Sequence, residues 1–160
     1  MAGAALITDS AAEFRAALPE GGVLLALDVG TKTIGTALCD AGWNFASAGK
    51  TLPRGKFTAD KAKIEELATG RAVRGIVIGL PRNMDGSEGP RAQASRAYAR
   101  NLAVLGLPLL LWDERLSTAS AERSLIEQDM SRAKRAGRID AAAAAVILQG
   151  AIDALAGGVI

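Results

Sequence analysis

Three segments place an acid at one end of an otherwise apolar element, and carboxylates so placed could do chemistry. Asp28 lies in "LLALDVGTKTIGTALCD" (24–40), Asp113 and Glu114 in "LLLWDERLS" (109–117), and Asp140 in "GRIDAAAAAVILQ" (137–149). Each has an ordinary explanation when taken alone. Asp28 can accept amide hydrogen bonds from the turn at Gly30–Lys32. Asp113 and Glu114 can punctuate a strand-to-helix junction, with Arg115 pairing one of them. Asp140 falls where a helix would start, and an acid in a first turn is favoured by the helix dipole. Taken together they suggest more. Grouped carboxylates repel one another unless a cation such as Mg²⁺ or Mn²⁺ neutralises them, and two such ions about 4 Å apart can activate water and stabilise the leaving oxygen of a phosphodiester.

The 160-residue chain contains no histidine. That excludes Ser-His-Asp triads, histidine acid–base pairs and most zinc sites, so hydrolysis would rest on carboxylates and a hard cation. A nucleotide reading of the first segment fails on spacing. A Walker loop needs a glycine five residues before its second one, and Leu25 stands there before Gly30. The Asp-x-Gly-Thr pattern resembles the first phosphate loop of the actin and sugar-kinase superfamily, but that fold closes two domains around its nucleotide and this length supplies one.

Residues 1–40 carry five acids and two bases, a net of −3, so the remaining 120 residues carry +5 of the total +2. "SRAKRAGR" (131–138) holds four bases and no acid. Such a patch can neutralise phosphates or be a solvated loop. The single cysteine, Cys39, cannot form an internal disulfide, and no run approaches the roughly 20 apolar residues of a membrane span. The expectation is a cytoplasmic protein with no membrane partner.

To position those acids, the pattern predicts a helix over Leu6–Pro19, with Ser10 and Glu13 as a capping box. Strands follow over Val23–Asp28, Thr33–Asp40 and Trp43–Thr51, then a helix over Thr58–Gly70 and a strand over Arg74–Leu80. A helix over Pro90–Leu105, a strand over Leu107–Trp112, a helix over Ser117–Met130, a basic loop, and a helix over Ile139–Ala156 complete the chain. The order implies an α/β fold, a mixed five-stranded sheet with helices on both faces. Residues 1–22 would be an extension with a short helix, and 23–156 the main domain.

"LALDVGTKTIGTALCD", "VIGLPRNMDGSEGPRAQASRAYARNL", "LWDERLSTASAE" and "GRIDAAAAAVILQ" resemble the four motif blocks of the YqgF/RuvX family, in the same order. Members of that family are described as RNase H-like Holliday junction resolvases and as nucleases that mature the 5′ end of pre-16S rRNA. The resemblance implies a metal-dependent nuclease in which Asp28, Glu114 and Asp140 are the catalytic acids and the Mg²⁺ or Mn²⁺ ligands. It implies that Lys32, Asn83 and Arg115 face the substrate backbone, and that Arg132, Lys134, Arg135 and Arg138 hold phosphates from a loop preceding Asp140. RNA is then the leading nucleic-acid partner and branched DNA the alternative, with monomer or weak homodimer both open. A non-catalytic nucleic-acid-binding module is the third reading. Thr33 departs from the family, which often has a basic residue there.

Overall fold

The computed structural model describes residues 5–116 and 132–157, with side chains of the last helix described from Ala141 onward. The expected helix over Ser117–Met130 lies outside the described residues.

Six strands form one mixed sheet in the order β1-β6-β5-β2-β3-β4. They are β1 (Ile7–Thr8), β2 (Leu24–Val29), β3 (Thr33–Cys39), β4 (Ala46–Pro53), β5 (Gly75–Leu80) and β6 (Leu109–Asp113). The helices are α1 (Ala11–Ala17), α2 (Phe57–Gly70), α3 (Pro90–Leu102) and α4 (Arg132–Gly157). β2, β3 and β4 form the antiparallel meander, while β2–β5, β5–β6 and β6–β1 pair in parallel. All five expected strands are present.

The sixth, β1, comes from the start of the segment expected to be wholly helical. Ile7 and Thr8 pair with Leu109 and Leu110, so burial against β6 outweighs local helix propensity there. The helix begins only after Ser10, whose hydroxyl accepts the Glu13 N–H at 3.2 Å. Half of the capping box is therefore formed. The Glu13 carboxylate instead accepts the hydroxyl of Thr8, whose oxygen accepts the Ser10 N–H.

Alternation divides the central strand between two cores. Leu24 and Ala26 face α1 and α4, together with Val77, Leu110 and Trp112. Leu25, Leu27 and Val29 face α2 and α3, together with Ile76, Ile78, Leu109 and Leu111. β2 and β5 are buried along their whole length, as strands covered on both faces must be. Gly75 lets α1 approach: a Cβ there would lie 2.8 Å from Phe14 and 2.9 Å from Leu18.

Two boundaries differ from the expected ones. β4 starts at Ala46 rather than Trp43, because the Asp40 carboxylate gathers the N–H groups of Gly42, Asn44 and Phe45 into the turn between β3 and β4. The basic segment is not a loop. Arg132–Arg138 already belongs to α4, a helix of 26 residues, so Asp140 is its ninth residue rather than part of its first turn. Arginine, lysine and alanine are strong helix formers, and the single Gly137 costs only about 1 kcal/mol, too little to stop a helix anchored by the packing of its following turns. The helix-dipole explanation of Asp140 thereby falls away.

Candidate active site at the strand ends

Asp28 is 2% exposed, next to last in β2 and opposite Gly35 of β3. By alternation it shares the α4 face with Leu24 and Ala26. A buried carboxylate is costly unless its hydration is replaced, so its position at the end of an apolar strand has to be supported. The turn that follows it is itself braced. The Gly30 N–H donates to the Thr33 carbonyl at 2.9 Å, and Arg54 donates its backbone N–H to Lys32 O at 2.8 Å and its Nη1 to Gly30 O at 2.7 Å. Lys32 itself is exposed at the tip.

Glu114 follows β6 in the 3₁₀ turn Glu114–Leu116 and reaches back over the neighbouring strand. A Cβ on Gly79 would stand 2.9 Å from Glu114 Oε2 and 2.7 Å from Ile147 Cδ1. Leu27 of β2 pairs with Ile78 of β5, so Asp28 and Gly79 are the next residues on adjacent parallel strands. The bare backbone at Gly79 thus makes room for one carboxylate directly beside the strand position of the other. Strand carboxyl ends in α/β sheets open onto such crevices.

α4 covers this face. Ala143, Ala144, Ile147 and Leu148 are fully buried against the sheet, and position 140 precedes Ala143 and Ala144 by three and four residues on the same stripe. At the far end of the sheet, Gln149 accepts the Ala46 N–H and donates to Asn44 O, so α4 runs with its N-terminal half toward Asp28 and Glu114. The side chains of Arg132, Lys134, Arg135, Arg138 and Asp140 lie outside those described.

The other expected substrate contacts sit on a cross-linked rim. Asn83 opens the turn after β5: its N–H donates to Ser87 O and its carboxamide to Ser87 Oγ at 3.0 Å. Arg115 lies against Asp113 rather than Glu114, with Nη2 at 2.7 Å and Nε at 3.1 Å, while Nη1 donates to Met84 O. That guanidinium holds the Asp113 carboxyl below the usual carboxylate range. Arg82 ties the rim together, pairing Asp9, Glu88 and Asp113 at 3.3–3.5 Å. Arg96 clamps Glu88 at 2.6 and 2.7 Å and, chiefly through those hydrogen bonds, lowers its pKa. None of Arg54, Arg82, Glu88 or Arg96 stands out in the sequence, because their partners are distant in the chain or lie in loops.

Among the described residues no group of three acidic or sulfur ligands forms, the Asp140 side chain being outside them. Glu114 nonetheless places a hard oxygen donor in a cradle that a single methyl group would fill, with Asp28 at the neighbouring strand position, and two such carboxylates are a donor set that fits a magnesium-like cation.

This sheet order, with acids at the ends of its central strands, defines an RNase H-like α/β protein. Two solved structures of Thermus thermophilus RuvC share the fold. One, titled as a complex with Holliday junction substrate, has a TM-score of 0.52 at 13% identity, over 83% of this chain and 94% of that one. The other has a TM-score of 0.52 at 16% identity, over 84% and 96%. Residues 22–154 match the family described as "RuvX: Holliday junction resolvase", and the chain belongs to that family. Among its relatives, a protein of Novosphingobium aromaticivorans is 68% identical over 152 residues, 95% of this chain and 98% of the relative. One of Sphingopyxis alaskensis is 65% identical over 150 residues, 94% and 99% of the two chains. Both are named "Putative pre-16S rRNA nuclease".

Proposed function

We propose that this protein is a metal-dependent nuclease of the cytoplasm that processes the 5′ end of pre-16S rRNA. The observation that carries the reading is that Asp28, buried on β2, occupies the strand position beside Gly79, over which the Glu114 carboxylate is seated. The names of relatives at 68% and 65% identity, matched over nearly their whole length, support the RNA substrate. Residues 23–156 would form the nuclease domain, with residues 1–22 an extension whose strand and helix close one edge of its sheet.

Asp28, Glu114 and Asp140 would hold Mg²⁺ or Mn²⁺, which when bound supplies the positive charge that activates water and stabilises the leaving oxygen. Lys32, exposed on its braced turn, would meet a substrate phosphate. Asn83 and Arg115 would approach the backbone from the rim, and Arg132, Lys134, Arg135 and Arg138 would neutralise phosphates along the first two turns of α4. With a cation to activate water, carboxylates alone would serve and no histidine base is needed.

The second reading is a resolvase of four-way DNA junctions, favoured by the family's description and by the fold shared with RuvC. Labelled pre-16S leader RNA and four-way junctions, each incubated with and without Mn²⁺, separate the two. Wild type is expected to cut the leader only with the cation, and Asp28→Asn or Glu114→Gln to lose about 10³-fold in kcat, roughly 4 kcal/mol. Paired nicking of junctions with the leader left intact would favour the resolvase. Failure to cut either substrate, or equal cutting by Asp28→Asn, refutes the nuclease.

A further inference from the structure

The stripe of α2 that packs on the sheet consists of Asp60, Ile64 and Ala68, one of them a carboxylate. Asp60 is 2% exposed and accepts the Gly55 N–H at 3.0 Å and the Tyr98 hydroxyl at 3.2 Å. Burial first, and then the Asp60 charge, push the Tyr98 phenol far above its ordinary value, so it stays a donor. The Tyr98 ring meets Phe57 edge-on, with centroids 5.3 Å apart, and the Arg54 guanidinium lies over its face at 5.2 Å. From that seat Arg54 holds Gly30 O through Nη1 and Lys32 O through its backbone N–H.

An apolar residue at position 60 could pack α2 without the cost of burying a charge. What the carboxylate adds is direction. It fixes Gly55 and Tyr98, these fix the loop and the ring on which Arg54 lies, and the planar guanidinium can then point one way only. Its target is the turn that begins two residues after Asp28. We propose that Arg54 is a positioning residue: by holding the carbonyls of Gly30 and Lys32 it sets the aim of the Asp28 carboxylate and of the Lys32 amine. The inference rests on the reading of Asp28 as a cation-holding carboxylate.

Mn²⁺ binding measured by titration calorimetry, together with kcat and KM on labelled leader RNA, tests it in wild type, Arg54→Ala, Arg54→Lys and Asp28→Asn. Groups that orient metal ligands typically contribute about 10–100-fold to affinity or activity. Arg54→Ala is therefore expected to weaken Mn²⁺ binding and lower kcat within that range while leaving KM little changed. Arg54→Lys, which keeps a donor but loses the planar stack, should lose less in both. If the alanine variant does not fold, the lysine variant decides by the same two measurements. Unchanged Mn²⁺ affinity and kcat, or a rise in KM alone, overturns the proposal, the latter making Arg54 a substrate contact. Asp28→Asn tells the two failures apart. If it binds Mn²⁺ as wild type does, the reading of Asp28 fails and the clamp has no target. If it loses the ion while Arg54→Ala keeps it, only the clamp fails.

Discussion

Gly79→Ala isolates the geometry of the site from its chemistry, because it adds one methyl group and removes no functional atom. Gly79 needs no left-handed backbone, so glycine is there for space. The new Cβ would sit 2.7 Å from Ile147 Cδ1, about 0.8 Å inside the roughly 3.5 Å at which carbon atoms rest against each other. Ile147 is fully buried and has little room to retreat, so part of the displacement falls on Glu114, whose Oε2 would be 2.9 Å away. Overpacking of this kind costs about 1–3 kcal/mol, which for a domain of this size lowers the melting temperature by about 2–12 °C. A carboxylate moved by about 1 Å costs about 100-fold in rate. Calorimetric melting and single-turnover cleavage of the leader RNA measure the two effects on one sample. Gly70→Ala is the control, since a Cβ there meets nothing within 4 Å; it should leave the rate unchanged and the stability equal or higher. Full activity in Gly79→Ala at a lowered melting temperature would show that Glu114 has no fixed role over β5.

Acid should loosen the rim first. Glu88 and Asp113 have lowered pKa values in the fold, so the stability they contribute is complete above their unfolded values near 4 and is lost as the pH falls through the lower, folded ones. Melting temperature should be flat above about pH 5 and fall below about pH 4, and Glu88→Gln should flatten that fall. Tyr98→Phe removes one hydrogen bond to a buried charge and should cost about 1.5–3 kcal/mol in urea unfolding while keeping the ring under Arg54. Ser10→Ala removes the acceptor of the Glu13 N–H and should cost about 0.5–2 kcal/mol by the same measurement, with no change in cleavage rate.

The central sheet was legible because its strands announce themselves. Leu24–Val29, Gly75–Leu80 and Leu109–Asp113 are short apolar runs, and each ends near a residue that breaks the pattern. β1 was not legible, since two residues carry no period and Ile7 and Thr8 become a strand only through Leu109 and Leu110. The helix over Arg132–Arg138 was misread for a related reason: charge and a glycine suggest a loop, whereas the following apolar turns carry the helix backward through them. At the site, Asp28 and Glu114 were visible as acids closing apolar strands. Arg115 was visible too, but its pairing with Asp113 depends on a 3₁₀ turn that periodicity does not reveal. Asp60 was hidden most completely. Nothing in the run Thr58–Gly70 marks it as buried, and one of its two partners, Tyr98, lies 38 residues away.

The position of α4 has a consequence for the order in which the molecule is made. Synthesis delivers β2 and its Asp28 early, β6 and Glu114 some 85 residues later, and α4 after them. Pairings this distant in sequence form late, because the chain must first close the intervening loop. Until α4 docks, the face bearing both carboxylates is open to water and the stripe of Ala143, Ala144 and Ile147 has no sheet to cover. Before α4 is made, the chain therefore carries Asp28 and Glu114 without Asp140 and without the helix that covers them. A protein proposed to trim RNA would then have an incomplete set of acids until α4 closes over the sheet.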